Sequence, residues 1–139
     1  MCIRDRFGAP TPEEKQQEYE EAIKHFTKAI ELKPDFAEAY NNRGVSYFEK
    51  GKVDNAIRDY NTAIKLKPDD AVAYYNRGEA WLHLQEWEKA KSDLITAKDM
   101  GADIIASFHN DYASVEDFEQ KTGIQLPADI VALLTPPQA

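Results

Sequence analysis

A block of 34 residues repeats in this chain. Ala37 to Asp70, AEAYNNRGVSYFEKGKVDNAIRDYNTAIKLKPDD, runs directly into AVAYYNRGEAWLHLQEWEKAKSDLITAKDM. Tyr40, Asn42, Arg43, Gly44, Tyr47, Ala56 and Ala63 return 34 positions later as Tyr74, Asn76, Arg77, Gly78, Trp81, Ala90 and Ala97. The same phase marks half of an earlier copy, in which Ala22, Phe26, Ala29 and Pro34 precede Ala56, Tyr60, Ala63 and Pro68. A fixed period of this size means that one supersecondary unit recurs and that each copy buries its apolar face against a neighbour.

Each full copy reads as two helices joined by a short turn. The spacing predicts helix A over Ala37 to Lys50, a turn at Gly51 and Lys52, and helix B over Val53 to Leu66. The second copy gives Ala71 to Leu84, a turn at Gln85 and Glu86, and Trp87 to Met100. Gly44 and Gly78 fall in mid-helix, where glycine costs about 1 kcal/mol relative to alanine, so these positions are expected at close helix contacts. Ala56 and Ala90 stand at the matching contact on helix B. Tyr40, Tyr47, Tyr60, Ala63, Tyr74, Trp81 and Ala97 complete the expected packing set, with Tyr40, Gly44 and Tyr47 as a buried stripe.

These units resemble tetratricopeptide repeats, over about Tyr19 to Met100. The resemblance implies an all-α fold: a right-handed superhelical solenoid of antiparallel helix pairs, with a concave groove lined mainly by the A helices. In that groove the resemblance and the helical spacing place Glu38, Asn41, Asn42, Val45, Phe48 and Glu49 from one copy. The other copy contributes Val72, Tyr75, Asn76, Glu79, Leu82 and His83. Tetratricopeptide domains that hold the C-terminal carboxylate of chaperones use Lys, Arg and Asn on successive A helices. Asn42 matches the middle-helix Asn, but Val72 and Asn76 stand where the next helix needs its basic residues, so that ligand is disfavoured. The expected ligand is a basic or uncharged peptide or helix of another protein, held by aromatic anchors in an acidic groove. Self-association, or docking to a neighbouring domain that could be catalytic, is the alternative.

Outside the two full copies the reading is coarser. Residues 12–36 are expected to form a partial first repeat, a lengthened helix B. Its start is Thr11 as cap, Pro12 at the first helical position and Glu to answer the cap, and its stop is Lys33-Pro34. Residues 37–70 and 71–104 are the full repeats. Residues 105–135 form capping helices with a short helix over Asp103 to Asn110, another opened by Ser114 and closed by Thr122-Gly123, and a third over Ala128 to Leu134. Gly101 is expected to stop the last repeat helix. Residues 1–11 read as a non-native or disordered leader, because Met1 to Arg6 can be encoded by a run that resembles a transposon-end sequencing adapter. Residues 136–139 read as a disordered tail.

Composition narrows the function. A net charge of −8 argues against nucleic acid, whose phosphates need clustered Lys and Arg. No apolar run approaches the roughly 20 residues of a membrane-spanning helix, and the chain reads as cytoplasmic. Cys2 is the single cysteine, so no cysteine-built metal site is expected. His25, His83 and His109 share no ligand spacing, and no phosphate loop or nucleophile elbow occurs. Acidic pairs such as Asp69-Asp70 read as helix terminators and not as a calcium loop. The expectation is a non-catalytic protein with no cofactor and no metal.

Overall fold

A computed structural model describes residues 8–137. The expectations for Met1 to Arg6, Cys2 included, and for the last two residues lie outside the described residues. Among the described residues the elements are α-helices: α1 (Pro12–Leu32), α2 (Ala37–Glu49), α3 (Val53–Leu66), α4 (Ala71–His83), α5 (Trp87–Asp99), α6 (Ile104–Asp111), α7 (Val115–Thr122) and α8 (Ala128–Leu134). The chain is therefore all-α, and three of the repeat helices, α2, α4 and α5, end one residue short of the expected limits.

Local chemistry accounts for these ends. Thr11 Oγ1 accepts the Glu14 amide at 3.1 Å, and Ser114 Oγ accepts the Asp117 amide at 3.1 Å. Both occupy N-cap positions and satisfy a donor that the helix cannot. Asp70 corrects an expectation: it opens a helix where a terminator was read, its carboxylate accepting the Val72 and Ala73 amides at 3.1 and 3.4 Å. Gly51 and Gly101 take φ of +88° and +101°, and beyond them Lys52 and Ala102 donate back to the Tyr47 and Ala97 carbonyls at 2.8 and 3.0 Å. This is the glycine-dependent helix stop. At the equivalent turn of the second copy Gln85 adopts φ +59° without glycine's freedom.

The chain divides into two compact units between Pro68 and Asp69. In the first, α2 lies on α3 with Ala39, Gly44, Ala56, Ile57, Tyr60 and Ala63 buried. In the second, Tyr75, Leu82, Ala90, Leu94 and Ala97 from α4 and α5 form one core with Ile104, Phe108, Phe118, Leu126, Ile130 and Leu134 from the C-terminal segment. Gly44 and Gly78 sit at close contacts with different partners. A Cβ on Gly44 would stand 2.6 and 2.8 Å from ring atoms of Tyr60 and 3.2 Å from the Ala56 carbonyl. On Gly78 it would stand 3.1 Å from Leu94 Cγ and 3.3 Å from Asp93 Cβ. Leu94 takes the place that Tyr60 holds in the first copy.

The two glycines thus predict unequal costs. Gly44→Ala forces a buried ring to move and should lose about 1–3 kcal/mol to overpacking. Gly78→Ala needs only a few tenths of an ångström from a leucine, and the gain in helix propensity, about 1 kcal/mol, offsets most of that. Urea melts of the two variants should separate them, with Gly44→Ala clearly the less stable.

Candidate functional site

Each helix pair is pinned by the same ion pair. Arg43 on α2 donates from Nε and Nη2 to the two carboxylate oxygens of Asp59 on α3, both at 2.8 Å. Arg77 on α4 does the same to Asp93 on α5, at 2.7 and 2.8 Å. Both carboxylates are buried. Arg43 further donates to Thr27 Oγ1 of α1 at 3.2 Å, and Trp81 Nε1 donates to Asp93 at 3.1 Å. A two-pronged guanidinium and carboxylate fix the angle between helices as well as adding energy. These partners went unread in the sequence, although Asp59 and Asp93 themselves obey the 34-residue period and each follows its arginine by 16 positions.

The aromatic stripe, expected to be buried, is only half-buried, and cations lie near its rings. The Arg43 guanidinium lies 5.5 Å from the Tyr40 ring centre and 5.8 Å from that of Tyr47, and Arg77 lies 5.5 Å from Tyr74. Lys89 Nζ sits 4.7 Å from the Trp81 ring centre. Tyr40, Tyr47, Tyr74 and Trp81 thus each stay half-buried with a cation near the ring centre.

The expected groove residues part ways. On α2, Glu38, Val45 and Glu49 are exposed and Asn42 and Phe48 are half-buried, while Asn41 corrects the expectation, being buried at 7% and lining no surface. On α4, Val72 is 56% exposed and Asn76 and His83 are half-buried. Tyr75, Glu79 and Leu82 are corrections: they are 7%, 8% and 1% exposed and line no surface. The reason is the C-terminal segment of the same unit. Phe108 of α6 and Phe118 of α7 share one apolar core with Tyr75 and Leu82. Phe108, Tyr112 and Phe118 form an aromatic cluster with ring centres 4.9 to 5.9 Å apart.

Polar groups close this seam. The Tyr75 hydroxyl donates to Glu79 Oε2 at 3.2 Å, and it is pushed above its ordinary pKa first by burial and then by the Glu79 and Asp111 charges. His83 Nε2 lies 3.2 Å from the Tyr112 hydroxyl, with its ring edge-on to Phe118 at 5.4 Å. Burial holds the His83 imidazole below its ordinary pKa. Two clefts of the described residues share only Glu49 with the expected set: one is lined by Pro10, Lys15, Gln16, Tyr19 and Glu49, and the other by Arg77, Trp81, Lys89 and Asp93. Among the described residues no group of three or more His, Cys, Asp or Glu is placed to hold a metal ion, and no helix is long and apolar enough to cross a membrane.

Glycine-seated helix pairs with a shared ion pair at a 34-residue offset define a repeat architecture. A family model described as TPR repeat matches residues 15–51 and again 46–85, together more than half of the chain. The chain belongs to the TPR repeat family. Among solved structures, the TPR chain is similar to the first TPR of Spaghetti (RPAP3) bound to the HSP90 peptide SRMEEVD. The two are 34% identical, with a TM-score of 0.60 and coverage of 63% of this chain and 69% of that one. Two curated relatives are each 49% identical over 39 residues, 28% of this chain: Hsp70-Hsp90 organizing protein 1 of Arabidopsis thaliana and of Glycine max. The match spans only 7% of the length of either relative.

Proposed function

We propose that this TPR chain is a non-catalytic protein–protein interaction module, and that α2 carries the surface that meets the partner. The observation behind this reading is the exposed strip of Glu38, Val45 and Glu49 on α2, with Asn42 and Phe48 half-buried beside it. A small apolar centre with acidic ends suits a short segment with basic or uncharged side chains, while Asn42 offers both a donor and an acceptor to its backbone.

The solved relative binds SRMEEVD, a segment with three acidic residues. In this chain Val72 and Asn76 stand where a carboxylate-binding domain of the family presents Lys and Arg, and Glu38 and Glu49 repel further negative charge. Calorimetric titration with SRMEEVD and with SRMKKVK, in which lysine replaces each acidic residue, tests the reading. SRMKKVK should bind the more tightly, and Glu38→Lys with Glu49→Lys should reverse the order. Tight binding of SRMEEVD that is lost in Asn42→Ala would overturn it.

A further inference from the structure

His109 on α6 meets a backbone carbonyl with each of its ring nitrogens. Nδ1 lies 3.2 Å from the Ala113 oxygen in the turn before α7, and Nε2 lies 3.2 Å from the Leu134 oxygen at the end of α8. A carbonyl oxygen only accepts, so each contact needs an N–H. A neutral imidazole has one N–H and serves one of the two, leaving its other nitrogen with a lone pair turned toward an oxygen lone pair. The imidazolium has two N–H groups and serves both. Leu134 closes α8, where a helix leaves its carbonyls without partners of its own.

We propose that His109 is a proton-operated latch: with two ring protons it ties the turn before α7 to the end of α8, and with one it releases one of the two carbonyls. The tie acts on more than α8. Ile130 and Leu134 share one core with Phe108, Phe118, Tyr75 and Leu82, so the latch helps to hold closed the segment that turns the α4 stripe into core. Most charged groups of the surrounding elements are engaged elsewhere. On α7, Asp117 accepts the Ala113 amide and pairs with Lys121, and Glu119 accepts the Leu126 amide. Asp129 of α8 pairs with Lys91 of α5, and Asp93 of α5 with Arg77 of α4. Asp103 accepts the Ala106 amide at the start of α6, while Asp111 and Glu116 are exposed. On α4, Glu79 accepts the Tyr75 hydroxyl, and His83, beside the Tyr112 hydroxyl, is held below its ordinary pKa by burial and so opposes the latch in acid.

The test compares amide hydrogen exchange of the labelled full chain with that of His109→Gln, at about pH 5.5 and about pH 7.5, on the two sides of the ordinary histidine value. Glutamine's donors do not titrate in this range. Comparison at one pH cancels the pH dependence of exchange itself and the contributions of His83 and the carboxylates, which both chains share. At the lower pH the amides of residues 131–134 should exchange about tenfold more slowly in the unmodified chain, the size expected of one hydrogen bond from a charged donor. At the higher pH the two chains should agree within about twofold. A ratio that ignores pH, or one that is larger at the higher pH, would overturn the latch. If His109→Gln does not fold, the ring protons of the unmodified chain decide. Both His109 N–H signals should persist at the lower pH, shielded from water by their carbonyls, and the loss of one or both to solvent exchange would contradict the proposal.

Discussion

Asp93→Ala should destabilise the second unit by about 3 kcal/mol, the low end for removing one member of a buried pair because the Arg77 side chain retains 22% exposure. The substitution strips both acceptors from the Arg77 guanidinium and the acceptor from Trp81 Nε1 in one step. What is lost is mainly the compensation of a charge that stays buried, not the net worth of the pair. Both tryptophans of the chain, Trp81 and Trp87, lie in this unit, so urea unfolding followed by tryptophan fluorescence reports on it directly. The double replacement Arg77→Met with Asp93→Leu removes both charges together and should recover much of the loss. A loss below about 1 kcal/mol for Asp93→Ala alone would show the pair to be screened like a surface one.

Phe118→Ala should cost about 3–5 kcal/mol, the range for emptying a fully enclosed aromatic site. Its ring is 0% exposed and touches Phe108, Tyr112 and His83 edge-on or tilted, so the cavity opens where α6 and α7 meet α4. The effect is also local. Amide exchange should quicken in α6, α7 and α8 and in the α4 turn carrying Leu82, while α2 and α3 keep their protection. Unchanged exchange at α4 would mean that the C-terminal segment does not hold the Tyr75 and Leu82 seam closed.

Much of the architecture was legible because helix-forming signals and the repeat agree. Thr11-Pro12, Gly51, Gly101, Ser114 and Gly123 each act through local backbone chemistry, which a sequence states directly. The pairing of α2 with α3 and of α4 with α5 followed from Gly44 and Gly78, residues that make sense only at a close contact. Burial on α4 was not legible. Tyr75, Glu79 and Leu82 have the spacing of a ligand-facing stripe, and the same spacing serves a stripe covered by the chain itself. The period ends near Ala102, and nothing in the positions of Phe108, Tyr112 and Phe118 says which apolar face they will meet. The roles of Asp59 and Asp93 were not legible because a charged helical residue ordinarily faces water, and the repeat alone does not say which arginine it meets.

The division of labour between the A helices is the centre of this account: α2 offers a surface, whereas the equivalent stripe of α4 is core. Amide chemical-shift mapping of the labelled chain with SRMKKVK tests it most directly. The predicted result is a set of shifts on Glu38, Asn42, Val45 and Glu49, with Tyr75, Glu79 and Leu82 unmoved. Shifts centred on Tyr75 and Leu82 with α2 silent would contradict it.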